Sequence, residues 1–173
     1  MKNKQITPIN KEKVMRESDF IVSKTDTKGR ITYGNRIFIE FSGYSEKELL
    51  GTQHNVIRHP DMPRVVFKLL WDTLNQHKEI FAYVKNMAKD GSFYWVFANV
   101  TPSFDNSGKL VGHYSVRRKP KTSSIQIIEP IYKQLLAEEQ KHSAKDAMNA
   151  SYQLLVSVLQ SKGLTYDELV LAI

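Results

Sequence analysis

Three runs rich in β-branched and aromatic residues, Ile80–Met87, Phe93–Phe104 and Leu110–Arg117, follow one another near the middle of the chain. Only the turn sequences Lys89-Asp90-Gly91-Ser92 and Asp105-Asn106-Ser107-Gly108 separate them. That spacing leaves room for hairpins and none for crossover helices, so the runs predict an antiparallel meander. Upstream, Phe20-Ile21-Val22-Ser23-Lys24-Thr25 reads as a short strand. Asp26-Thr27-Lys28-Gly29 then turns the chain into Arg30-Ile31-Thr32-Tyr33, which predicts a separate hairpin.

Short helical segments fill the interval. Asn35 stands where it can cap a helix through Ile37, Phe38, Ile39 and Phe41, ended at Gly43. Ser45 with Glu48 three residues later is a capping box for a second short helix ending at Gly51. Pro60 and Pro63 forbid a helix interior before Pro63, which suits the first turn of a third helix. Val66, Phe67, Leu70, Trp71 and Leu74 then recur at helical spacing. Two strands, short helices and three long strands predict an α+β fold: a five-stranded antiparallel sheet with helices across one face. The gap between sheet and helices is a natural small-ligand cavity.

Past Lys121-Thr122-Ser123-Ser124, read as a linker, the period becomes helical. Ile125, Ile128, Ile131, Tyr132 and Leu135 share a stripe, with Pro130 expected to kink that helix or delay its start. Ala147–Val158 continues a second amphipathic helix, and Leu164–Ile173 a short third with Thr165 and Glu168 as a capping box. The expected organisation is an N-terminal segment 1–17, a sheet domain 18–120 and a helical extension 121–173. The apolar stripe of the extension must be buried on its own sheet or on a partner.

The chain has no cysteine, which excludes a disulfide scaffold, cysteine-ligated metals, and a thiol nucleophile or photoadduct. No apolar run reaches the roughly 20 residues of a membrane span, and the N-terminus lacks an apolar signal core, so a cytoplasmic protein is expected. The net charge of +7 is dispersed, with Arg117-Arg118-Lys119 the only tight cluster. A solvated basic surface fits better than a nucleic-acid stripe. His54, His59, His77, His113 and His142 form no His-x-x-x-His pair, and no phosphate loop or nucleophile motif is present. A binding protein is therefore expected rather than an enzyme or metal site.

The least ordinary stretch is Asn55–Pro63, which sets Arg58, His59 and Asp61 on a proline-stiffened loop facing the expected cavity. Arg58 suits a phosphate or carbonyl oxygen; alternatively Arg58 and Asp61 form an internal ion pair with His59 exposed. Trp71 and Phe93-Tyr94-Trp95 offer flat surfaces for a planar ring, or plain core packing. Asn86 and Asn99 alternate with apolar neighbours and either face the cavity or lie at a strand edge.

These residues resemble the PAS domain of bacterial energy-taxis (aerotaxis) receptors over roughly residues 18 to 135. The match runs through Ile31-Thr32, Asn35, Phe41-Ser42-Gly43-Tyr44, His54-Asn55, Arg58-His59-Pro60-Asp61-Met62-Pro63, Trp71, Val84-Lys85-Asn86 and Tyr94-Trp95-Val96. It continues in Ala98-Asn99 and Glu129-Pro130-Ile131-Tyr132, and the Arg58–Pro63 string is the specific part. The resemblance implies a PAS fold and non-covalent FAD, with cofactor binding carried by Asn35, Arg58, His59 and Asp61. It also implies a place for Trp71 near the flavin, and more loosely for Asn86 and Asn99 at the ring edge. The implied role is redox sensing without catalysis, signalled by protein contact to a membrane chemoreceptor or its signalling domain, with a homodimer also open. Such receptors continue into a membrane anchor and coiled coil, so the chain is either a fragment or a stand-alone sensor, and its helical tail makes the latter the expectation. The alternatives are a haem gas sensor ligated by His59 or His77, and a ligand-free interaction module.

Overall fold

In the computed structural model, which describes residues 6–173, the strands form one sheet in the order β2-β1-β5-β4-β3. Residues 1–5 of the N-terminal segment lie outside the described residues. β1 (Phe20–Thr25) and β2 (Ile31–Gly34) are the first hairpin, and β3 (Ile80–Met87), β4 (Phe93–Phe104) and β5 (Leu110–Arg118) the meander. All pairings are antiparallel, and β5 closes the sheet by pairing with β1. The first and last strands of the sequence pattern thus meet at its centre. Gly112 permits this pairing, because a Cβ there would stand 2.0 Å from the Thr25 carbonyl oxygen.

Between β2 and β3 lie α1 (Arg36–Ser42), α2 (Glu46–Leu49), a 3-10 turn at His54–Ile57 and α3 (Arg64–Asn75). Gly43 ends α1 in the left-handed conformation, and Ser45 with Glu48 forms the capping box of α2. Strand alternation then sorts the core. Ile21, Val84, Tyr94, Val96 and Ala98 are buried on the face toward these helices, while Tyr83, Trp95 and Phe97 are buried on the opposite, outer face.

On the outer face lie the chain's own C-terminal helices α4 (Thr122–Gln140) and α6 (Tyr166–Ala172), with α5 (Ala147–Lys162) packed on α4. Tyr132 of α4 stacks on Trp95 with ring centroids 6.4 Å apart and donates a 2.8 Å hydrogen bond to the Tyr83 carbonyl. Ile128, Ile131, Leu135, Leu155, Leu169 and Val170 join the same apolar core as the sheet. The apolar stripe is therefore buried intramolecularly. α4 also runs unbroken through Pro130, and Thr122–Ser124, expected as linker, are its first turn. One missing backbone donor is tolerated where tertiary packing fixes both sides of the helix.

Candidate functional site

A cavity of about 250 Å³ lies between the inner face of the sheet, α3 and the 3-10 turn. This is near the low end of small-molecule pockets and large enough for a planar ring system. Its apolar wall is a composite of two periodicities. Phe67, Leu70, Trp71 and Leu74 come from one stripe of α3, and Val84, Ala98 and Val100 from alternate positions of β3 and β4. Trp71, 37% exposed, sits where the cavity meets solvent. Its indole packs against Gly29, whose φ of 75° the β1–β2 turn requires; an ideal Cβ there would be 3.1 Å from the ring. The indole also meets the His113 ring edge to face at 5.3 Å.

The polar wall draws on several elements, of which β5 supplies three side chains. His113, Ser115 and Arg117 stand two residues apart, so all three point inward from the central strand. Arg117 is buried and makes no ion pair with a carboxylate among the described residues. Its Nη2 donates to Ser23 Oγ at 2.7 Å and to His54 Nε2 at 2.7 Å. An acceptor on Nε2 requires the neutral imidazole with its proton on Nδ1. Burial, and then the neighbouring Arg117 charge, hold the His54 pKa down to about 3. Burial likewise lowers Arg117 to about 10.

Among the described residues, four buried polar atoms along this cavity have no hydrogen-bond partner: Asn86 Nδ2, His113 Nε2, Ser115 Oγ and Arg117 Nη1. Buried donors without partners are uncommon because each forfeits its hydration. Their convergence on one cavity marks a place built for a ligand with several acceptors.

The sequence-expected residues divide sharply. Arg58, Trp71 and Asn86 line the cavity. Arg58 and Asn86 are bridged through their backbones, Arg58 Nη2 donates to the Met62 carbonyl at 2.9 Å, and the guanidinium lies 4.5 Å above the Phe67 ring. The loop that carries Arg58 follows the edge of β3, so alternate side chains fall on opposite sides of the sheet. His59 is buried on the outer side against Phe93, with ring centroids 6.0 Å apart, and its Nδ1 accepts the Asp61 amide at 3.1 Å. Asp61, half-exposed, accepts from Lys85 Nζ at 2.6 Å. Neither residue lines the cavity, and the alternative of an Arg58–Asp61 ion pair with an exposed His59 does not hold either.

Asn35 also lies away from the cavity. Its Oδ1 accepts from Phe38 N and from Val22 N, each at 3.0 Å, and its Nδ2 donates to the Phe20 carbonyl at 2.7 Å. It caps α1 and fastens that helix to β1. Asn99 lies between Ala98 and Val100, which face the cavity, so it faces outward and donates to Glu79 at 2.9 Å. Its expected place beside Asn86 is thus corrected by strand parity. Neither histidine of the haem alternative reaches the cavity: His59 is on the outer side, and His77 follows the end of α3 against Phe104. The Arg117-Arg118-Lys119 cluster also dissolves, for the same parity reason. Arg117 turns inward, Arg118 lies 5.1 Å over Phe97, and Lys119 pairs with Glu17.

Residues 31–117, which supply all of the cavity lining except Ser23, Thr25 and Gly29, match the family model of the PAS fold. The chain belongs to the PAS family. It is 41% identical over 117 residues to the aerotaxis receptor of Escherichia coli (strain K12), covering 68% of this chain and 23% of the receptor. Similarity to the nitrogen fixation regulatory protein of Klebsiella pneumoniae is 29% over 105 residues, 61% of this chain and 21% of that protein. The chain thus spans under a quarter of either relative's length. Among solved structures, the PAS domain of a Colwellia psychrerythraea protein superposes with a TM-score of 0.54 at 19% identity, over 58% of this chain and 86% of that one. A light-oxygen-voltage domain studied with a flavin analogue superposes with a TM-score of 0.56 at 21% identity, over 63% and 82%. At such identities the two structures attest the fold.

In this PAS domain, sequence reasoning missed most of the polar wall: Ser23, His54, His113, Ser115 and Arg117. A signal for three of them was available. Polar residues at every second position of the last meander strand, His113, Ser115 and Arg117, are the pattern of a strand whose inner face is not plain core.

Proposed function

We propose that this PAS chain binds FAD non-covalently in the cavity and reports the redox state of the flavin by protein–protein contact with a membrane chemoreceptor or its signalling domain. The observation that carries the reading is the convergence of four unpartnered buried polar atoms, on Asn86, His113, Ser115 and Arg117, opposite an aromatic and aliphatic wall. Bound flavin would supply reversible electron transfer at a planar ring rich in hydrogen-bonding edges. Identity of 41% to an aerotaxis receptor supports the same reading, and the lack of cysteine argues against a light-driven thiol adduct.

The residues present have distinct roles toward such a ring. Phe67, Leu70 and Trp71 would flank it, and Asn86, Ser115 and His113 would meet its polar edge. Arg117, a buried cation with no carboxylate beside it among the described residues, favours an electron-rich ring over a neutral one. Arg58 stands at the α3 side, where a phosphate or a carbonyl oxygen suits it. A volume of about 250 Å³ accommodates the ring, leaving the rest of a dinucleotide to run out past Trp71. Similarity to an aerotaxis receptor favours a sensor rather than an enzyme. Among the described residues no helix is long and apolar enough to cross a membrane.

The test is an absorbance spectrum of the purified chain, followed by release and identification of the chromophore. Flavin bands that bleach with dithionite and return in air are expected, with FAD released on denaturation. A haem spectrum, or a colourless protein that does not take up added FAD, overturns the reading.

A further inference from the structure

We infer that Glu139 is a positioning residue that links the cavity to the C-terminal helices. Its carboxylate, carried on the last turn of α4, caps the helix that walls the cavity. The inference rests on the cavity being the FAD site proposed above.

Helix α3 opens on Pro63, which has no side-chain oxygen to offer the first backbone N–H groups. Glu139 fills that place from far along the chain. Its Oε2 accepts the Arg64 amide at 3.0 Å and its Oε1 the Val65 amide at 2.9 Å, while Arg64 Nε adds a contact at 3.3 Å. Glu139 is only 5% exposed. A buried carboxylate is retained where donors satisfy it, and the positive end of a helix favours it further.

The capped turn is joined to the cavity on both sides. Just before it, the Met62 carbonyl accepts from Arg58, which lines the cavity. Just after it come Phe67, Leu70 and Trp71, which form the apolar wall. A ligand that fixes Arg58 and the α3 stripe therefore fixes the two amides that Glu139 holds. On its own side, Glu139 ends a helix that crosses the outer face by way of Tyr132. That helix carries α5 with it, through Ser151 Oγ donating to the Leu135 carbonyl at 3.3 Å. Such linkage is reciprocal: whatever steadies α3 steadies the seating of α4 and α5, and the reverse.

The experiment is amide hydrogen exchange combined with FAD titration, on the full chain and on Glu139→Gln. In the unaltered chain, FAD should slow exchange at Arg64, Val65 and along residues 133–160 by at least about fivefold. In Glu139→Gln, FAD should bind at least about fivefold more weakly, and the response of residues 133–160 should vanish. A merely structural role would shift basal exchange without removing that response. Equal FAD affinity with an unchanged response overturns the linkage while leaving the cofactor reading intact. No FAD uptake by the unaltered chain overturns both. If Glu139→Gln does not fold, the exchange data on the unaltered chain decide: no FAD-dependent protection in α4 and α5 overturns the linkage.

Discussion

At the scale of single residues, the structure separates groups that face the cavity from groups that hold its frame. Asn35 belongs to the frame. Asn35→Ala removes the α1 cap together with the two bonds to β1, and is expected to lower stability by about 1–3 kcal/mol in chemical denaturation. Any loss of FAD in that variant should follow from the fraction unfolded. The two asparagines of the meander make a sharper contrast. Asn86→Leu leaves the cavity without one of its free donors and is expected to weaken FAD binding at least fivefold, whereas Asn99→Ala, on the far side of the sheet, should leave the affinity unchanged within error. Equal effects of the two in a fluorescence titration would contradict the assignment of faces.

At the scale of elements, the loop from Arg58 to Met62 matters because it straddles the edge of β3. Arg58 faces inward; His59 and Asp61 grip Phe93 and Lys85 outside. Asp61 is half-exposed, so solvent screens its pair with Lys85, and Asp61→Asn is expected to destabilise by less than about 1 kcal/mol. Arg58→Ala should instead leave a folded chain with markedly less FAD, since it removes a cavity-lining cation while the outer grip remains. A thermal melt beside a flavin count for each variant separates the two outcomes. If Asp61→Asn lost more flavin than Arg58→Ala, the division of labour along the loop would be wrong.

At the scale of the whole molecule, three buried or partly buried histidines, His54, His59 and His113, are all held below their usual titration range, chiefly by burial. For His54 the folded-state value is about 3 against 6.5 for the free side chain. The unfolded chain gains a proton below pH 6.5 that the folded chain refuses, so stability present at pH 7 is lost as the pH falls toward 3. Between pH 6.5 and 5 His54 alone would account for about 2 kcal/mol. Denaturant midpoints at pH 7.5 and 5 should differ accordingly, and His54→Gln should narrow the difference, leaving the part due to His59 and His113.

Much of the fold was open to reading in the sequence because period-2 runs, turn residues and capping boxes are local signals. The pairing of β1 with β5 and the folding of α4 back over Trp95 join distant segments, and no local pattern encodes them. The same limit governed the site. Arg58, Trp71 and Asn86 lay in segments that stood out, whereas Arg117 passed for one of three surface cations until strand parity turned it inward. Asn99 erred for the converse reason, since one residue of register reverses the face.

The most direct test of flavin binding in this cavity is a spectral titration of the apoprotein with FAD, run on the unaltered chain and on Arg117→Met. Methionine keeps much of the volume of arginine and removes its charge and donors. Saturable binding by the unaltered chain is expected, weakened at least about tenfold by the substitution, as befits the loss of hydrogen bonds from a charged group. Saturation with the same affinity in both chains would place the flavin elsewhere.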